Sequence, residues 1–241
     1  VTDDMPRGGP NAAWWDRFYE TDRTEYIDRP EAGPQRRRVL RRLARLQRLT
    51  LAHRSFSGLV LAQVRDAPHP RILELGAGNG HLARQVLDRH PAARLTVSDV
   101  GHETVETLRA GPLGRHGRAT VARLDATAID EPDGSYDLAV LSLSLHHLPP
   151  GGVAALLREG TRVASRLLIV DVWRHPACLA AAPLILLCGG PVLAHDGIIS
   201  LRKAYGPAAL HHLAGACGAP VALRTRFVPP AYLAAVASRR R

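Results

Sequence analysis

Ile72-Leu73-Glu74-Leu75-Gly76-Ala77-Gly78-Asn79-Gly80-His81 decides how the rest of the chain is read. A short apolar run holding one acid passes into a turn in which every second residue is glycine, and His81 to His90 then carries helical spacing. Strand, glycine turn and helix open a parallel α/β unit, because there the backbone approaches a ligand closely and bends sharply into the helix. A dinucleotide fingerprint, GxGxxG, would place its last glycine at position 81, which is histidine, and the lysine of a phosphate-binding loop is also missing. The turn is GxGxG behind an acid, so the nucleotide in prospect need carry no pyrophosphate.

Working outward, Leu95-Thr96-Val97-Ser98-Asp99 reads as a second strand and residues 102–110 as a helix. Thr120 to Leu124 is a third strand, and Tyr136 to Leu143 a fourth, nearly unbroken in its apolarity as a doubly covered strand should be. Val153 to Val163 is helical, Leu167 to Val172 is a fifth strand, and Pro207 to Cys217 is a helix with proline at its start. Val221 to Phe227 and Tyr232 to Ala237 close the chain as a pair of strands. This alternation predicts a doubly wound α/β fold with helices on both faces of the sheet. Asp99 ends the second strand near the spacing at which an acid reaches a ribose diol. Asp125-Ala126 follows the third strand, and Asp137 opens the fourth after the turn Pro132-Asp133-Gly134-Ser135.

Over roughly residues 70–240 this constellation resembles the class I S-adenosylmethionine-dependent methyltransferases. The resemblance implies a Rossmann-like seven-stranded sheet whose last strand is antiparallel, with S-adenosylmethionine as cofactor. Glu74, Gly76, Gly78 and Gly80 then match the turn cradling the methionine moiety, Asp99 the acid on the ribose hydroxyls, and Asp125 with Ala126 the adenine contact. Serine at 98 and valine at 100 vary the surroundings of that acid. Amino-group methyltransferases typically carry Asn/Asp-Pro-Pro-aromatic after the fourth strand; here Leu143-Ser144-Leu145-His146-His147-Leu148-Pro149-Pro150 stands instead. That run is similar to the small-molecule branch of quinone and natural-product biosynthesis, which implies a small, mostly apolar acceptor methylated at a phenol or enol oxygen or an activated carbon.

A methyl sulfonium is already a good electrophile, so the protein's tasks are aligning the acceptor and removing water. A neutral histidine takes the proton of a phenol or enol acceptor. His146 is the expected base and His147 a structural residue, since neighbours in sequence point in different directions. His195, in His195-Asp196-Gly197, is a second candidate base, and Tyr205 a candidate substrate contact; the alternative is that Asp196-Gly197 caps a turn and Tyr205 packs beside Pro207. The remaining histidines show no metal-ligand spacing, and no metal is expected.

The whole chain has 241 residues, 46% hydrophobic and 22% charged, which suits one domain with a cap. We divide it into an N-terminal helical cap, 1–66, and a methyltransferase-like domain, 67–241, with a lid-like apolar insertion over 174–200. The apolar stretch Ala177 to Leu193 is interrupted by Pro183, Gly189, Gly190 and Pro191 and is shorter than the roughly 20 residues of a spanning helix. In the cap, a short helix would group Trp14, Trp15, Phe18 and Tyr19; Trp14, Trp15 and Tyr19 are candidate acceptor contacts, or else the rings dock the helix.

Gln35 to Arg65 reads as a helix with Val39, Leu43, Leu46 and Leu49 in one stripe and Arg38, Arg41, Arg45 and Arg48 in another. Nine arginines and no acid lie between Pro34 and Arg65, and the net charge is +10. The basic stripe is either a solvated face or a peripheral contact with an anionic membrane. Nucleic acid is not the expected partner, although an RNA or protein methyltransferase is the rival reading, and a cofactor-binding relative that does not methylate is a third. Three cysteines without a CxxC pair, and an acidic start at Asp3 and Asp4 without an apolar leader, point to a reducing cytoplasm. Sequence leaves the oligomeric state open.

Overall fold

The computed structural model describes residues 4–26 and 52–240. Its strands are β1 (Arg71–Leu75), β2 (Arg94–Asp99), β3 (Ala119–Arg123), β4 (Leu138–Ser142), β5 (Leu167–Val172), β6 (Val221–Val228) and β7 (Tyr232–Arg239). Its helices are α1 (Trp14–Tyr19), α2 (Ala52–Gln63), α3 (His81–Arg89), α4 (His102–Ala110), α5 (Pro150–Val163), α6 (Ala182–Lys203) and α7 (Pro207–Ala216). The strands form one seven-stranded sheet in the order β3-β2-β1-β4-β5-β7-β6, with β7 antiparallel to both neighbours and the first five strands parallel. This is the sheet expected from the resemblance, down to the reversed last strand.

Side-chain alternation along the central strands makes the two cores. Ile72, Leu138, Val140, Leu168 and Val170 face one side, where α2, α3 and α4 supply Phe56, Val60, Leu82, Val86 and Leu108. Leu73, Ala139, Leu141, Leu167 and Ile169 face the other, against Val153, Leu156 and Leu157 of α5 and Leu210 and Leu213 of α7. The described end of the expected cap, α2, is therefore a layer of the sheet core. The Val39–Leu49 and Arg38–Arg48 stripes lie outside the described residues.

Two elements differ from expectation. The fourth strand ends at Ser142, because Leu143 takes a left-handed conformation (φ 54°) that leaves the extended ladder. The apolar insertion is a 3-10 turn, Pro176–Ala181, followed by α6, which bends where Gly190 (φ 79°) precedes Pro191. Before the bend Leu184, Leu186 and Leu187 are exposed; after it Leu193, Ile199 and Leu201 are buried. Among the described residues no helix is long and apolar enough to cross a membrane.

Gly80 starts α3 with φ 67°, and a Cβ there would run into the side chains of Leu108, 2.9 Å away, and Leu113. Gly80→Ala should therefore lower stability by about 1–3 kcal/mol in urea unfolding. An unchanged midpoint would show that the turn tolerates a side chain.

Candidate active site

The glycine turn lies at the carboxyl end of β1, beside those of its neighbours β2 and β4. Ala77 N–H donates to the Ser98 carbonyl at 2.9 Å, and Ser98 Oγ donates to the Glu74 carbonyl at 2.8 Å, so the turn is stitched to β2. Asp99 accepts from Gly78 N–H at 3.0 Å through one carboxylate oxygen and from Gly101 N–H at 2.9 Å through the other. Gly78 has φ 54°, and a Cβ there would meet nothing within 4 Å, so the turn presents bare backbone to open space. Asp125 accepts from both the amide and the hydroxyl of Thr127, at 2.8 and 2.7 Å, which fixes the loop after β3. Asp137, by contrast, takes the Arg71 amide at 2.8 Å at the start of β1, the end of the sheet away from the turn.

Glu74 is buried, and its Oε2 has no hydrogen-bond partner. Burial pushes its pKa up to about 8, with the Asp99 charge adding to the rise and the Ala83 amide opposing it. An orphaned buried acceptor beside an open backbone cradle fits a ligand carrying hydrogen-bond donors.

A second cluster follows β4. The 3-10 turn Leu145–His147 brings His146 against Asp171, the acid of the otherwise apolar β5. His146 is 3% exposed; its Nδ1 lies 2.8 and 3.0 Å from the two Asp171 oxygens, and its amide donates to Oδ2 at 2.9 Å. Burial alone would raise the Asp171 pKa, yet the His146 ring and the amides of Val172 and His146 hold it below the usual carboxylate range. An ionised Asp171 accepts a hydrogen bond from Nδ1–H, which leaves Nε2 facing outward. Facing it at 3.7 Å is Glu25 Oε1, itself 3% exposed and 2.9 Å from Ser200 Oγ of α6.

His147 is exposed, but its ring stands beside that of His146, with centroids 4.3 Å apart. His195 lies inside α6, its Nδ1 3.0 Å from Asp196 and its ring against Tyr26. The helix excludes a cap role for Asp196-Gly197; Asp196 instead accepts the Tyr26 amide at 2.9 Å.

The expected aromatic group is divided. Trp14 (73% exposed) and Phe18 (78%) meet edge to face on the surface and Trp15 is exposed, whereas Tyr19 turns inward under the Arg174 guanidinium. Tyr205 is fully buried, with its hydroxyl donating to the Leu148 carbonyl at 2.8 Å and the Arg7 guanidinium over its ring. It props the 145–148 segment from behind. Residues absent from the sequence-based set are Asp171, Glu25 and Ser200. Asp171 was signalled by a charge within a buried strand; Glu25 carried no local signal.

Arginines latch residues 4–26 over this cluster. Arg7 donates to the carbonyls of His146 and Lys203 at 3.0 and 2.8 Å. Arg174 donates to Asp16 Oδ1, the Asp16 carbonyl and Glu20 Oε1 at 3.1–3.2 Å, and to the Arg202 and Ala204 carbonyls.

A seven-stranded sheet in this order, with a glycine turn after β1 and an acid closing β2, is the fold of S-adenosylmethionine-dependent methyltransferases. Residues 72–166 match the family model described as "Methyltransferase domain". Among curated proteins the chain is 41% identical over 70 residues to the malonyl-[acyl-carrier protein] O-methyltransferase of Geobacter sulfurreducens, covering 29% of this chain and 26% of that protein. It is 36% identical over 118 residues to the trans-aconitate 2-methyltransferase of Streptomyces coelicolor, covering 45% of this chain and 38% of the relative. The matches thus span well under half of either relative. Among solved structures, a plantazolicin methyltransferase in complex with SAH superposes with a TM-score of 0.64 at 14% identity, over 89% of this chain and 93% of that one.

Two expectations follow. A carboxyl whose folded pKa exceeds its unfolded value favours folding while protonated, so the Glu74 contribution is complete below about 4.5 and is lost as pH rises to about 8. Across that window the ligand-free protein should lose stability relative to Glu74→Gln, by about 1.4 kcal/mol per pKa unit. Parallel pH profiles in urea unfolding would contradict it. Arg174→Gln should leave the sheet folded but expose residues 4–26 to limited proteolysis, with cleavage at least several-fold faster; unchanged cleavage would show that Arg7, with Arg202 donating to the Tyr19 and Glu20 carbonyls, suffices.

Proposed function

We propose that the chain is an S-adenosylmethionine-dependent methyltransferase acting on a small, mostly apolar acceptor at a phenol or enol oxygen. The observation that carries this reading is the adjacency of two unlike sites at one end of the sheet: an open glycine cradle with an orphaned acid, and a buried His–Asp pair. Glu74, Gly76, Gly78, Gly80, Asp99, Asp125 and Ala126 would hold the cofactor, whose chemistry when bound is to offer a methyl group on a positive sulfur. Ser144 links the halves, since its Oγ would stand 3.1 Å from a Cβ at Gly76 and it lies two residues before His146.

At the acceptor end, Asp171 fixes the His146 ring so that Nε2 faces Glu25, and this centre removes the proton from the acceptor hydroxyl. His195, paired with Asp196, is the second histidine on that side. The latched residues 4–26 and the exposed leucines before the bend of α6 supply an apolar cover that keeps water from the transfer. The relatives' names support a small or carrier-bound acceptor, and the run Ser144-Leu145-His146-His147 stands where amino-group methyltransferases carry a different motif.

Titration calorimetry should show S-adenosylmethionine and its demethylated product competing for one site, with Asp99→Ala weakening both by about 1–3 kcal/mol. His146→Ala should lower turnover of a phenolic or enolic acceptor by about 10²–10⁴-fold with cofactor affinity nearly unchanged. A wild-type protein that fails to bind the cofactor would defeat the reading.

A further inference from the structure

The centre after β4 gathers more ligating chemistry than proton removal requires. One carboxylate oxygen of Glu25 and one ring nitrogen each of His146 and His147 all lie within 4.8 Å of one another. Glu25 and His146 are buried, and His146 Nε2 is 3.7 Å from Glu25 Oε1. Ligand atoms around a tetrahedral zinc ion stand about 3.4 Å apart, so this pair is nearly in place, and the ring nitrogen of the exposed His147 lies within 4.8 Å of both. The surroundings are those of a metal-bound imidazole, which gives its other ring N–H to a carboxylate: His146 Nδ1 is held by Asp171. Glu25 is likewise pre-positioned, by Ser200 Oγ at 2.9 Å and by the bond from the next residue's amide, Tyr26 N–H, to Asp196.

We infer that Glu25, His146 and His147 bind one divalent transition-metal ion of the zinc class. Two imidazoles and a carboxylate without a thiolate define that class and leave coordination positions open for oxygen. The use of the ion rests on the methyl-transfer reading: an acceptor hydroxyl oxygen on the ion gives its proton to solvent, its lone pair forms the new O–C bond, and the C–S pair leaves with the cofactor sulfur. Binding of the ion does not depend on that reading. Because Glu25 belongs to the latched segment, the ion also ties residues 4–26 to β4.

The test is calorimetric titration of the full chain, stripped by chelator, with zinc chloride, and in parallel with cobalt(II) read by visible absorption. We expect one equivalent bound at micromolar affinity or tighter, with a four- or five-coordinate cobalt spectrum. His147→Ala, a change at an exposed ring, and Glu25→Gln should each weaken uptake at least 10-fold while leaving thermal unfolding cooperative. No stoichiometric uptake, or uptake equally tight in both variants, overturns the inference. Full turnover by stripped enzyme would assign proton removal to His146 alone and overturn the ion's part in it. S-adenosylmethionine binding to stripped wild-type protein tests the methyl-transfer reading separately.

Discussion

The pairing of Asp171 with His146 organises this end of the molecule. A carboxylate inside a strand covered on both faces is costly unless its oxygens are taken up, and here the His146 ring, the His146 amide and the Val172 amide take them. In satisfying the acid, the 145–147 turn is drawn down onto β5, directly after a residue pair that has already left the extended conformation at Leu143. Tyr205 then braces the turn through Leu148, and Arg7 caps it through the His146 carbonyl. The position of His146 is thus determined from three sides.

The sheet and the glycine turn were legible because they are local. Glu74 to Gly80 lie within seven positions, and each strand announces itself by a run of apolar residues. That the 145–147 turn follows β4 at the glycine-turn end of the sheet was legible for the same reason. Glu25 was not: it meets Ser200 across 175 positions, and no window of the sequence connects the two. Helical spacing predicts neighbours only along a helix, and Trp14 and Phe18 do meet four residues apart. A six-residue helix gripped by Arg174 turns Tyr19 inward and leaves the tryptophans outside. Tyr205 stands in a polar run, and its hydroxyl is taken by the Leu148 carbonyl, 57 positions away.

The two halves of the site are built on different physical terms. The half at the glycine turn is backbone: positive φ at three glycines, amides around Asp99, and an acid whose pKa burial raises. The half after β4 is side chain, with Asp171, His146 and Glu25 buried together. A backbone cradle tolerates change in the residues around it, whereas a compensated cluster fails as a unit when one member is lost.

The acceptor half also has an order of construction. Its parts come from residue 25, from 146 and 147, from 171 and from 200, while the glycine turn and Asp99 are complete within the first hundred residues. A chain emerging from the ribosome can therefore form the cradle early, but His146 has no carboxylate to orient it until β5 has been made, and Glu25 has no anchor until α6 follows. A nascent or truncated chain would present the glycine turn with no completed histidine cluster opposite it. That cluster is closed only by the last third of the polypeptide.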